Sequence, residues 1–247
     1  MLKIVVPLTG SPSRGKIHRS PLPLVLTEID SQPLLETIVS KLRPAGPHHF
    51  IFVTTRDDAR RWAIDDVVRQ IAPGCSILIA PSAPANPVFA TLLAIDEIES
   101  EDELLVADSS RIFEGEIDPF LSHARRLSFE GCLPSFRCTH PKWNYLREEQ
   151  GEVLQVVERR PVSDQAAASA FWLRRARDYF DAAEQHVVRH LDRSEGEETN
   201  TVVNELVLAG RRIGNWRIPS RHSAPSMESA ASNRSHKLKS THNFIDS

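Results

Sequence analysis

Short apolar runs rich in β-branched residues alternate with amphipathic stretches as far as residue 107, and this alternation restricts the fold to parallel βαβ units. Residues 2–8 are such a run, ended by Thr9-Gly10-Ser11-Pro12-Ser13, the pattern of a buried strand feeding a loop that can face phosphate. Pro33 stands at a first helical turn, and the spacing of Leu34, Leu35, Ile38 and Leu42 predicts an amphipathic helix. Residues 50–53 predict the next strand, 59–71 a helix with Ile64, Val67, Val68 and Ile71 on one side, and 76–79 a third strand. Residues 87–98 predict a helix whose Val88, Leu92 and Ile95 share a face, and 104–107 a fourth strand. In sheets of this kind ligands sit at the carboxyl ends of the strands.

After a helix at 119–127 the pattern changes. Residues 132–136, 143–146, 153–157 and 168–173 read as short strands with hairpin-like spacing, which predicts an antiparallel or mixed extension of the sheet walling off a second pocket. A helix at 175–191 presents Phe180, Ala183, Val187 and Leu191 on one side, followed by a short helix at 201–209 and a last strand at 213–218. Residues 220–247 carry Ser, Asn, His and Lys with almost no large apolar side chain, so they are expected to form a disordered tail behind one domain spanning 1–219. A chain of 247 residues accommodates that single α/β domain, since such architectures often run to about 200–250 residues undivided.

A net charge of -3 and a pI near 6.4 supply no basic face for nucleic acid, so a bound nucleotide is expected to be a small free one. No apolar run approaches the roughly 20 residues of a membrane span. Cys75, Cys132 and Cys138 are an odd number in a chain that opens without a basic, apolar leader, and they read as reduced thiols of a cytoplasmic protein.

The most specific stretch is His140-Pro141-Lys142-Trp143-Asn144-Tyr145, then Gly151-Glu152-Val153, then Val157-Glu158-Arg159-Arg160-Pro161-Val162-Ser163. Its order resembles the sugar-phosphate nucleotidyltransferase family, in a cytoplasmic branch of capsule and surface-polysaccharide type, where "hPKWSY", a short turn and "EKxPIS" frame an acceptor-phosphate pocket. The resemblance implies a three-layer, Rossmann-like α/β fold with a mixed central sheet. It also implies transfer of a nucleoside monophosphate from a nucleoside triphosphate to a phosphorylated sugar or similar small metabolite, with Mg²⁺ and release of pyrophosphate. The implied partners are those two small molecules, with no nucleic acid and no membrane, and with self-association or a partner enzyme as the protein contact. The signature motifs are eroded, so the alternative is a catalytically degenerate homologue that binds a ligand or a partner.

Laid over the chain, the resemblance nominates four constellations. In the loop Gly10-Ser11-Pro12-Ser13-Arg14-Gly15, Gly10 and Arg14 match a Gly-x-Gly-x-Arg phosphate turn, with Ser11 and Ser13 beside them as triphosphate contacts. Pro12 replaces a glycine and removes an N–H, and Leu22 replaces a lysine, leaving Lys16 or Arg19 to supply the charge. The other reading of this segment is a surface loop that keeps an old shape. Ala107-Asp108-Ser109-Ser110-Arg111 resembles "A-N-S-D-Q", with Ser110 where the metal aspartate belongs and Asp108 available two residues earlier. Asp108 otherwise reads as a turn or N-cap aspartate.

Asn86 opens a helix where the family has small residues that admit a base, and Asn86-Pro87-Val88-Phe89 narrows that space. Lys142, Glu158 and Arg159 are the implied acceptor-side residues, Ser169 stands at a sugar-contacting strand in place of a glycine, and Asn204 belongs to a segment resembling "GEfYvaPvyNelI". Trp143 can line the same pocket as Lys142, but Trp143 and Tyr145 are read first as sheet packing, because alternate strand positions bury whatever the function. His186 and His190 lie four apart on a helix and can share a face toward a metal, but with no third ligand in a recognisable spacing they read as solvated.

Overall fold

The computed structural model describes residues 1–8, 23–29, 31–84, 87–190 and 198–219. The element order begins with β1 (Leu2–Pro7), a small hairpin of β2 (Glu28–Ile29) and β3 (Gln32–Pro33), α1 (Leu34–Leu42) and β4 (His48–Thr55). There follow α2 (Arg56–Trp62), α3 (Ile64–Ile71), β5 (Ser76–Ala80), α4 (Pro87–Leu92), β6 (Glu103–Ala107) and α5 (Ile117–Arg126). The extension comprises β7 (Gly131–Arg137), β8 (Tyr145–Glu149), β9 (Glu152–Val157), β10 (Gln165–Ala167) and β11 (Ala170–Leu173). The last elements are α6 (Ala176–Arg189), α7 (Val203–Leu208) and β12 (Ile213–Arg217).

One ten-stranded sheet runs in the order β10-β8-β9-β12-β7-β11-β6-β1-β4-β5. β6, β1, β4 and β5 are parallel, as the alternation predicts, and β11 joins β6 and β7 antiparallel. β12 lies parallel to β7 and antiparallel to β9, so the sheet is mixed. Because side chains alternate across a strand, β1 sends Ile4 and Val6 to one core and Val5 to the other. The first core packs α1, α3 and α5 through Leu35, Ile38, Val68 and Phe120; the second packs α4, α6 and α7 through Val88, Tyr179, Ala183 and Leu206. This is the expected three-layer, Rossmann-like architecture. The β8–β9 hairpin turns on Gln150 and Gly151, with φ of 50° and 82°, a two-residue loop in which both positions are left-handed.

Several boundaries differ from the pattern-based reading. The helix expected at 59–71 is two helices, because Ala63 takes φ 50° and ψ 38°. The first starts early, at Arg56, since Thr55 Oγ1 accepts the Asp58 N–H at 3.0 Å and caps it. The helix expected at 87–98 ends at Leu92, gives way to a 3₁₀ turn at Ile95–Glu97 and leaves Ile95 42% exposed rather than on a buried face. The strand expected at 168–173 begins only at Ala170, as β11, and is preceded by a strand the pattern did not announce, β10 at Gln165–Ala167; the strand expected at 143–146 begins only at Tyr145. The helix expected at 201–209 opens with a 3₁₀ turn, Thr199–Val202. The tail expected from 220 lies outside the described residues.

A left-handed alanine is conformationally costly, whereas glycine takes that region freely. Ala63→Gly is therefore expected to stabilise the protein by roughly 0.5–1 kcal/mol after its larger unfolded-state entropy is counted. A rise in the urea midpoint at unchanged slope checks it, and a fall would show that the α2–α3 corner is not strained.

Candidate active site at the carboxyl ends of β1 and β6

The parallel strands β1 and β6 end side by side, and the chain leaving β6 is pinned there by its own polar groups. Ser109, buried, donates its hydroxyl to the Pro7 carbonyl at 2.6 Å, tying the two strand ends together. The Asp108 N–H donates to the Ser169 carbonyl at 2.7 Å, and Asp108 Oδ1 accepts the Ser110 N–H at 2.8 Å, an Asx turn that orients the half-buried carboxylate. Asp108 thus stands at the strand end expected of it.

Next to it is a cation that sequence reasoning passed over. Arg111 donates to Glu198 Oε1 at 2.6 Å, and its guanidinium lies 4.3 Å from the centroid of the Trp143 ring. Burial works against the Arg111 charge, but Glu198, Asp108 and Glu114 outweigh it and raise the pKa above the usual arginine value. The Glu198 carboxyl is also pushed up, by burial first and by Asp108, against the pull of Arg111. An Asn144–Asn200 contact continues this network: Asn144 Nδ2 donates to Asn200 Oδ1 at 2.8 Å, and Asn200 Nδ2 donates to Glu198 Oε2 at 3.3 Å.

Behind this layer Glu114 Oε2 accepts the Ser169 N–H at 3.3 Å. Its carboxyl is almost wholly buried, and burial raises its pKa from 4.5 to about 7 despite that bond and the field of Arg111. Since the folded state holds the proton more tightly than the unfolded chain, this group stabilises the fold fully below about pH 4.5, and the contribution is lost as pH rises through 7. The loss amounts to about 3 kcal/mol by about pH 8. Glu114→Gln, which keeps an acceptor for Ser169, is expected to flatten that decline in urea titrations repeated across pH; an unchanged pH profile would exclude Glu114 as its source.

The remaining sequence candidates divide. Ser169 is buried at the join between β10 and β11 and connects Asp108 with Glu114. Lys142 holds its ammonium 5.5 Å from the Trp143 ring centroid, on the same aromatic that carries Arg111. The exposed Arg159 adopts φ 46°, and its N–H donates to Asn144 Oδ1 at 3.3 Å, so the turn that follows β9 meets the same asparagine network; Glu158 beside it is exposed. Trp143 and Tyr145 are buried as expected, Trp143 edge-on to Phe136. Asn204 uses its amide on the backbone of Val156, accepting at 2.7 Å and donating at 2.9 Å, which lashes α7 to β9. His186 is 2% exposed, a correction to its reading as solvated, because the segment preceding α7 packs over that end of α6. Gly10, Ser11, Pro12, Ser13, Arg14, Lys16, Arg19, Leu22 and Asn86 lie outside the described residues.

The chemistry of the donor set is oxygen-rich. Mg²⁺ is commonly held by one or two carboxylates together with substrate phosphates. Asp108 supplies one such carboxylate at the strand end, and Glu198, whose two oxygens accept from Arg111 and Asn200, supplies a second whose charge acts on the same arginine.

Solved structures share this fold. A nucleoside-diphosphate-sugar pyrophosphorylase from Vibrio cholerae superposes with a TM-score of 0.68 at 16% identity, over 90% of this chain and 93% of its own. An inositol-1-phosphate CTP transferase from T. maritima gives 0.67 at 12% identity, over 87% and 84%. HddC from Yersinia pseudotuberculosis gives 0.62 at 15% identity, over 88% and 90%. No protein-family model matches the chain, and no curated protein matches it in sequence. The chain has the Rossmann-like fold of these nucleotidyltransferases, with its mixed central sheet. Among the described residues no helix is long and apolar enough to cross a membrane.

Proposed function

We propose that this protein is a nucleotidyltransferase of the sugar-phosphate type, working in the cytoplasm on precursors of surface polysaccharides. The observation that supports it best is Asp108, whose backbone is held at the carboxyl end of β6 by Ser169 and whose carboxylate is oriented by the Ser110 N–H, in the same charged neighbourhood as the Arg111–Glu198 ion pair. In the proposed reaction a phosphate oxygen of a phosphorylated sugar or similar metabolite attacks the α-phosphorus of a nucleoside triphosphate. The bond from that phosphorus to the bridging oxygen breaks, and pyrophosphate leaves with the electron pair. No covalent enzyme intermediate is needed, so the protein's contribution is positioning and charge.

Asp108, with Glu198, would hold Mg²⁺, which when bound offsets the negative charge that otherwise repels the acceptor phosphate. Gly10, Ser11 and Ser13 are assigned to the triphosphate backbone contacts, Arg14 and Lys16 to its charge, and Asn86 to the nucleoside side. Lys142, Arg159 and Glu158 are assigned to the acceptor phosphate and its sugar, with Ser169 and Asn204 shaping that end. Among the described residues, the carboxylates whose charges act on Arg111 at this strand end outnumber its guanidinium, so a triphosphate without a counter-cation is disfavoured against them.

One observation favours a second reading, a non-catalytic relative that retains ligand or partner binding. Arg111 already engages Glu198 at 2.6 Å and stacks on Trp143, and Ser110 occupies the place of the motif's aspartate. Calorimetric titration with the four common nucleoside triphosphates, with and without Mg²⁺, separates the possibilities. The enzyme reading expects saturable, Mg²⁺-dependent binding of one of them followed by turnover with a phosphorylated sugar. Binding without turnover selects the second reading, and no binding of any nucleotide would remove the nucleotidyl-transfer proposal.

A further inference from the structure

Two histidines and a glutamate converge where the carboxyl end of α6 meets α7, sharing no residue with the Asp108 site. His186 and His190 are four residues apart, so they share one face of the helix. Their ring centroids are 4.4 Å apart, at 36°. Glu205, from α7, supplies the third group that the linear spacing lacks, and one candidate ligand atom from each residue lies within 4.8 Å of the others. Ligands about 2.1 Å from a tetrahedral ion are about 3.4 Å apart, so side-chain movements of about an ångström would close the set.

Two details make these groups more than neighbours. Glu205 is 6% exposed, yet its one ion pair among the described residues is a 3.4 Å contact from Arg189 Nε on a side chain that is 54% exposed. A buried carboxylate facing a solvated guanidinium at that distance is poorly compensated, and a cation seated against it would be favoured. His190 Nδ1 lies 2.9 Å from the His186 carbonyl. A carbonyl only accepts, so Nδ1 carries the proton there, and the neutral ring keeps its lone pair on Nε2, the arrangement that fixes a ligating histidine.

We propose that His186, His190 and Glu205 form a site for a divalent transition metal of the Zn²⁺ class, for which two imidazoles and a carboxylate are a fitting donor set with an open fourth position for water. The ion clamps α6 to α7. It also braces the segment leading into α7, because Thr201 Oγ1 donates to the Glu198 carbonyl at 2.8 Å and lies 3.4 Å from His186 Nε2.

The full chain, stripped of metal by chelation, is titrated with Zn²⁺ and separately with Co²⁺. One tight equivalent, the visible d–d bands of four-coordinate Co²⁺ and a higher Tm are expected. His190→Gln and Glu205→Gln should each weaken binding by about a hundredfold or more, since even loss of an outer-sphere partner costs about 10–100-fold. If Glu205→Gln fails to fold, His190→Gln, at the half-buried end of α6, carries the same comparison. Arg189→Ala removes the competing guanidinium and should retain or tighten binding. No tight equivalent, affinity unchanged in His190→Gln, or affinity abolished by Arg189→Ala would each overturn the site.

Discussion

Trp172→Ala is expected to lower the unfolding free energy by about 3–5 kcal/mol, the range for truncating a large buried aromatic side chain. Trp172 sits in β11, opposite Leu105 of β6 and Cys132 of β7, where the parallel half of the sheet meets the extension. Its ring is fully buried, and the Arg174 guanidinium lies 5.3 Å from its centroid. The indole N–H is buried with no hydrogen-bond partner among the described residues, so its removal returns about 1 kcal/mol and keeps the loss from being larger. Trp172→Phe, which retains most of the apolar contact and also deletes the orphan N–H, should cost far less. Urea unfolding followed by far-ultraviolet circular dichroism measures both, and a loss below about 1 kcal/mol for the alanine variant would mean that this junction repacks around the cavity.

The strands β1, β4, β5 and β6 were legible because each is a run of apolar, often β-branched residues bounded by turn formers, a pattern with few alternatives at that length. The α2–α3 break was not, because alanine is the strongest helix former and nothing local announces that Ala63 will be left-handed. β10 was missed for a related reason: it is three residues long, Gln165, Ala166 and Ala167, and a run of alanines carries no alternation and no β-branched residue to mark a strand. In the site, Asp108 was visible from its place after an apolar strand. Arg111 and Glu198 were not seen as a pair because 87 residues separate them, and Glu114 reads locally as a surface residue although the fold buries it. Glu205 escaped as a companion of His186 and His190 for the same reason, since only the packing of α7 on α6 makes them neighbours.

Asp108→Ala is expected to reduce Mg²⁺-dependent pyrophosphate release by about a hundredfold or more, the scale on which loss of a preorganised charge-stabilising group at a phosphoryl centre is felt. The side chain is half-buried, and its hydrogen bond among the described residues is the one accepted from the Ser110 N–H, so the variant gives up about 1 kcal/mol and is expected to remain folded. Asp108→Asn, which keeps the turn acceptor but removes the charge, should fail in the same way and so separates shape from electrostatics. The decisive measurement is pyrophosphate release by the wild type and by these two variants, with each common nucleoside triphosphate against a panel of phosphorylated sugars and polyol phosphates. Turnover in the wild type that collapses in both variants, with their melting temperatures nearly unchanged, is the predicted result. Turnover within about threefold of wild type in Asp108→Ala, or saturable nucleotide binding by the wild type with no turnover on any acceptor, would contradict it.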